Sequence, residues 1–337
     1  MTFELCLALL IAFLIAFITG IILVPFLRKI KAGQSIREDG PKWHQSKAGT
    51  PTMGGIIFIA GTIAACIGLG FESIQNGEFG HIFVLLFALA FGAVGFVDDY
   101  EKLRKKQNLG LTAGKKFLLQ VAVATLFVFL LRSFGYLTPS LYVPFLKVTI
   151  AMPEWLYFAF AVFAIVATVN AVNLTDGVDG LATGTSIPVF FFYSLVAIVW
   201  GSEFLALGIF SAGLLGGLFA FLVFNYNPAK VFMGDTGSLF LGGAVAGMAF
   251  AMDMPLIILT IGIIFIVEVL SDVIQVAYFK ATKGKRVFKM APFHHHLEMG
   301  GWTGKKWTEK ELFRLFTAVS LVFAIISFFG VYDRYGF

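Results

Sequence analysis

The chain has 337 residues, 58% of them apolar and 13% charged, with a formal net charge of +5 and a mean hydropathy of +0.88. That balance excludes a soluble globular domain and describes a polytopic membrane protein. Only two cysteines are present, Cys6 and Cys66, both inside apolar runs, which excludes a disulfide framework and reads as two small buried hydrophobes.

Apolar stretches of about 17 to 25 residues, the length that crosses ~30 Å of hydrocarbon as helix, recur from the first residues onward. The opening Met1-Thr-Phe-Glu carries no basic segment and its apolar run continues to Leu27, too long for a signal-peptide core, so a retained first span is expected. Apolar runs set against polar breaks predict spans at 3–27, 54–71, 81–97, 117–131, 154–172, 181–200, 204–224, 238–252, 256–279 and 312–331. The expected fold is all-α, an integral membrane protein of ten transmembrane helices in a single domain over 1–337. Segment 132–153, where LYVPFL and KVTIAM run β-rich around a break, is expected to form a small outer β-hairpin.

Lys and Arg are distributed unevenly between the loops. The loops after odd-numbered spans hold six in the first, six in the second, none in the third, Lys230 in the fourth and nine in the fifth; only Arg132, Lys147 and Arg334 fall elsewhere. The positive-inside rule makes those five loops cytoplasmic and places both termini outside. Asp98, Asp99, Asp176, Asp179 and Asp235 stand at the ends of apolar runs on that same side. A carboxylate beside hydrocarbon is costly and marks a functional site, so an active site on the cytoplasmic face is expected.

The first loop carries Arg28, Lys29, Lys31, Arg37, Lys42 and Lys47, with His44 an ordinary boundary histidine. In the second, Asp98 and Asp99 stand at a predicted helix end before a basic stretch that includes Lys102, Arg104, Lys105, Lys106, Lys115 and Lys116. Carboxylates beside cations suit magnesium and phosphate, or a helix end with solvated charges. In the third, Asn173, Asp176 and Asp179 recur every three residues through NLTDGVDG, which on a helical turn places them on one face; a helix cap is the structural alternative. The fourth places Asp235 before Thr236, Gly237 and Ser238 at the start of a helix, where free N–H groups favour anions and Asp235 would add a metal ligand. Phe232 could stack on a flat base or simply face lipid or core.

Glu268, Asp272 and Gln275 share one face of the ninth span, lining either a cavity or a cation pathway. The fifth loop holds His294, His295 and His296 in succession. Three adjacent histidines cannot all point one way from a helix, which disfavours a three-histidine zinc site and suits hydrogen bonding to a phosphate or sugar.

The motifs FVDDY, GTPTMGG, NLTDGVDGLA, FMGDTGSL and PFHHHLEMGGW, in this order on alternate loops, resemble the phospho-N-acetylmuramoyl-pentapeptide transferase family over essentially the whole chain. The aspartates resemble the wider superfamily of polyprenyl-phosphate hexosamine-1-phosphate transferases, and the histidine motif the muramoyl-pentapeptide branch. The resemblance implies transfer of phospho-MurNAc-pentapeptide from UDP-MurNAc-pentapeptide to undecaprenyl phosphate, with Mg2+, forming lipid I and UMP. It implies catalytic acids at Asp98, Asp99 and Asp235, with metal held by Asp235 and Asp99. Substrate contacts are implied at Lys47, Thr52, Lys116, Asn173, Asp176, Asp179, Phe232, Gln275, His294 and His295. A homodimer in the bacterial plasma membrane, a bent ninth helix and a hydrophobic groove for the lipid are implied as well. No nucleic-acid partner is expected. Two alternatives stay open: another UDP-hexosamine as donor, and a cation transporter, which would want its acids near the membrane midplane.

Overall fold

A computed structural model describes residues 1–30, 47, 49–105, 107 and 109–335 of the chain. Lys31, Arg37, Lys42, His44 and Lys106 lie outside the described residues. Each predicted span becomes a helix or a helix pair. In chain order these are α1 (Thr2–Lys29), α2 (Ile56–Leu69), the short α3 (Phe71–Gln75), α4 (Gly80–Lys105), α5 (Ala113–Ser133), α6 (Glu154–Thr175), α7 (Leu181–Trp200), α8 (Leu205–Asn225), α9 (Gly234–Ala251), α10 (Ile258–Ile261), α11 (Ile263–Ala281), α12 (Phe293–Glu298) and α13 (Glu309–Val331).

Among the described residues, seven helices are long and apolar enough to cross a membrane: α1, α4, α5, α6, α7, α8 with its preceding turn, and α13. The pair α10 and α11, bent by 83° at Gly262, makes an eighth if counted as one span. The predicted span 256–279 is therefore two helices set at a corner. At 14 residues, α2 falls short of the ~20 that cross the hydrocarbon.

α9 lies at the centre, with every residue from Thr236 to Ala251 buried, packed against α4 on one side and α6 on another. α8 is nearly as enclosed and supports α1, α2 and α7. α1 buries Leu5, Ala8, Ala12, Ala16, Gly20, Val24 and Leu27, a stripe of mostly small side chains recurring at three or four residues, which lets backbones approach closely in an apolar solvent. Its other faces expose Leu10, Ile18, Ile22 and Phe26, as expected of a helix bordering lipid.

The expected hairpin is present: β1 (Ser140–Val143) pairs antiparallel with β2 (Val148–Ala151), Ser140 opposite Ala151 and Val143 opposite Val148. The Phe145 N–H donates to Gly330 O at 3.2 Å, and Lys147 pairs with Asp333, fixing the hairpin to the C-terminal end of α13. The 23 residues of α13 span about 34 Å and separate the hairpin from Glu309, where the loops carrying the candidate site converge.

Candidate active site

The site begins with a helix longer than expected. α4 does not stop near residue 97 but continues to Lys105, so Asp98 and Asp99 lie within its last turns and Lys102 follows at the three- and four-residue spacing that faces an acid. The Lys102 ammonium is 2.6 Å from Asp98, 3.8 Å from Asp99 and 2.7 Å from Asp235. Asp98 also accepts from the Leu111 N–H at 2.8 Å.

Asp99 accepts hydrogen bonds from the N–H groups of Asp235 (3.2 Å) and Thr236 (2.9 Å) and from the Thr236 hydroxyl (2.8 Å). These N–H groups belong to the first turn of α9, which has no intrahelical partners for them. A carboxylate on α4 thus caps α9 across the interface, with favourable charge at the positive end of the helix dipole. The helices meet at Gly95, where a Cβ would lie 2.0 Å from the Asp235 carbonyl oxygen.

Asp235 sits in the first turn of α9, 2.8 Å from Lys116 on α5 as well as beside Lys102. Its other oxygen accepts from the Asn173 amide at 2.8 Å, and that amide also reaches the Ser238 hydroxyl at 2.7 Å. One oxygen from each of Asp98, Asp99 and Asp235 lies within 4.8 Å of the others. Three carboxylates against two ammonium groups leave a net negative, all-oxygen donor set. That chemistry fits a hard divalent cation, so these residues could hold a metal.

A second cluster lies beside the first. Lys47 places its ammonium 2.6 Å from both Asp179 and Glu309. Asp179 accepts from the Asn227 amide (3.0 Å) and the Ala229 N–H (2.9 Å). Glu309 accepts from the Asp179 N–H (3.1 Å) and Asn227 (3.2 Å). The single helical face expected for Asn173, Asp176 and Asp179 is not formed. α6 ends at Thr175 and Gly180 turns the chain at φ 76°, so Asn173 faces Asp235 while Asp179 faces Lys47. Asp176 lies half-buried between them. Burial first, then the charges of Asp235, Asp99 and Asp179, raise its pKa well above the ordinary carboxyl value despite Lys47.

Thr52 and Phe232 are brought together by backbone pairing, Phe232 N–H to Pro51 O at 2.8 Å and Gly54 N–H to Phe232 O at 2.9 Å. His294, fully buried, lies 3.0 Å from Glu268 of α11, with its Nε2 against Gly177, where a Cβ would lie 2.3 Å away. Burial disfavours its cation, but the carboxylates of Glu268, Glu298 and Asp272 outweigh that and raise its pKa. His295 pairs with Glu298 at 2.7 Å, and the His296 Nδ1 accepts from the Lys289 N–H at 3.1 Å. The Gln275 side-chain oxygen accepts from the N–H groups of Val287 (3.1 Å) and Phe288 (2.9 Å), holding the loop that leads to the histidines. Beside this face an apolar groove of about 540 Å³ runs between Leu174 and Val269, Val273, Val276 and Ala277, with Asp272 and Lys280 as its charged members.

Sequence reasoning named no site role for Lys102, Thr236, Asn227 or Glu309. Lys102 had a signal, its spacing from the acid pair; Glu309 had none, because its partners are 82, 130 and 262 residues away in the chain.

An apolar helical bundle with a carboxylate–lysine centre, formed where loops meet, defines a polytopic membrane protein with a polar site at one end. Residues 81–253 match Glycosyl transferase family 4, and residues 47–59 match the phospho-N-acetylmuramoyl-pentapeptide-transferase signature 1. The chain is 44% identical over 319 residues to the phospho-N-acetylmuramoyl-pentapeptide-transferase of Listeria welshimeri, covering 94% of this chain and 95% of that protein. It is 46% identical over 323 residues to the protein of that name from Clostridium acetobutylicum, covering 96% and 97%. With the one from Halalkalibacterium halodurans it shares 42% over 326 residues, again 96% and 97%. The chain belongs to the phospho-N-acetylmuramoyl-pentapeptide-transferase family.

Proposed function

We propose that the protein transfers phospho-MurNAc-pentapeptide from UDP-MurNAc-pentapeptide to undecaprenyl phosphate, releasing UMP and forming lipid I. The observation that carries this is the Asp98, Asp99 and Asp235 cluster braced by Lys102 and Lys116, in a chain similar over nearly its whole length to proteins of that name. The reading takes 1–337 as one transmembrane domain of ten spans with both termini outside, acting as a homodimer in a bacterial plasma membrane. The excess of Lys and Arg in alternate loops supports a cytoplasmic site.

A lipid phosphate oxygen attacks the phosphorus next to the sugar, the bond to the UMP oxygen breaks, and UMP leaves. Such a displacement needs in-line positioning and charge neutralisation more than covalent help. Asp235, Asp99 and Asp98 are the residues that would hold Mg2+, whose charge, when bound, would offset the repulsion between the two phosphates. Lys102 and Lys116 hold Asp235 in place and offer ammonium protons to phosphate oxygens. Lys47, Thr52, Asn173, Asp176, Asp179, Phe232, Gln275, His294 and His295 line the donor pocket, and the groove along α11 takes the polyprenyl chain. A phosphate monoester has a second pKa of about 6, so roughly nine-tenths is already the dianion near pH 7. Asp98 therefore acts by positioning rather than by removing a proton.

UMP release by purified protein is the test, with and without undecaprenyl phosphate and Mg2+, beside Asp235→Ala. Release that requires lipid and metal and is lost in the variant supports the reading. Release from UDP-GlcNAc instead moves the donor assignment, and magnesium uptake into sealed vesicles without nucleotide product sinks the transferase reading.

A further inference from the structure

Glu309 begins α13 behind an N-cap of its own, Thr308, which forms a reciprocal capping box with Glu311. The helix therefore has no need of Glu309 for its end, and the Glu309 side chain turns to the loops instead. It accepts three hydrogen bonds on one oxygen, from Lys47, Asn227 and the Asp179 N–H. Those partners come from the first, fourth and third of the converging loops, so one carboxylate oxygen ties three of them to the start of α13. Its side chain is 12% exposed and that of Asp179 2%, so the charges face one another through protein rather than water.

An ammonium has three N–H donors. Asp179 and Glu309 take two of those on Lys47, which fixes the direction of the third. We infer that Glu309 is a positioning residue of the donor site, acting on the donor nucleotide through Lys47 and the Asp179 turn without touching substrate. The inference rests on the proposed function for the identity of the donor, but the alignment of Lys47 stands independently of it.

The experiment compares Glu309→Gln and Glu309→Ala in the full-length, detergent-purified protein. Loss of charge-assisted hydrogen bonds in a buried cluster raises the KM for UDP-MurNAc-pentapeptide by about 10- to 100-fold in Glu309→Ala. kcat stays within about threefold of the parent, and the KM for undecaprenyl phosphate is unchanged. Glu309→Gln keeps an oxygen for the Asp179 N–H and Asn227 but not the charge on Lys47, and falls between the two. A purely structural role would lower kcat and thermal stability together with no selective change in donor KM, and that result overturns the inference. Should Glu309→Ala not fold, the isosteric Gln variant decides on the same split. Labelling of Lys47 by an amine-reactive reagent, read by mass spectrometry against Lys102, separates this inference from the function. Labelling rises several-fold in the variants even if the parent turns over no UDP-sugar, and unchanged labelling overturns the inference whatever the activity.

Discussion

Lys116, in the first turn of α5, lies 2.8 Å from Asp235 in the first turn of α9 and 3.9 Å from Asp98 of α4, so that a third helix reaches the acidic cluster. In the proposed reaction its charge is the one that would meet the transferred phosphate. Lys116→Met is expected to lower the rate of UMP release by about 10²- to 10³-fold, the scale of losing one preorganised charged donor. Lys116→Arg recovers part of it. Equal rates in Lys116→Met and the parent would remove the lysine from the mechanism.

Asp98 is held by Lys102 and the Leu111 N–H, the arrangement of a positioned group rather than a mobile base. Asp98→Asn therefore stays impaired over the whole accessible pH range. Full recovery of turnover at high pH, where any lipid phosphate is dianionic without help, would assign Asp98 to proton removal instead.

Gly95→Ala places a methyl group 2.0 Å from the Asp235 carbonyl oxygen, which must push α4 and α9 apart. Overpacking of this kind costs about 1–3 kcal/mol or more, so the melting temperature and UMP release fall together. Gly114→Ala, whose Cβ would meet nothing within 4 Å, serves as the comparison and leaves both nearly unchanged.

Asp176 supplies a pH dependence of stability. Its unfolded carboxyl titrates near 3.8, and burial with three neighbouring acids raises the folded value well above that. The folded state therefore resists ionisation. The penalty is absent below the unfolded pKa, grows as pH rises past it, and is constant beyond the folded pKa. Asp176→Asn removes the penalty, so the variant melts above the parent near pH 7 while the two converge toward pH 4. A gap of equal size at both values would contradict this, whatever the variant does to catalysis.

The helices were legible because apolar length alone specifies them in a membrane, and the acids because charge at the end of such a run needs a reason. What was not legible depended on where a helix stops or on contacts across the fold. α4 was ended near residue 97 on hydropathy, yet its polar last turns stay helical because Lys102 and Lys105 answer Asp98 and Glu101 at four-residue spacing. The three-residue rhythm of Asn173, Asp176 and Asp179 suggested one helical face, but α6 ends at Thr175 and the turn that follows sends Asn173 and Asp179 to different partners. Glu309 carried no signal in the sequence, and only the folding of loops onto one another gives it Lys47.

The contact of Gly95 with the start of α9 has a consequence for how this protein is handled. The spacing of Asp99 and Asp235 follows from how closely α4 and α9 pack at Gly95. Lateral pressure thus becomes a chemical variable. A bilayer or detergent that loosened this contact would move Asp99 relative to the first turn of α9, a change readable as a shift in UMP release between lipid compositions.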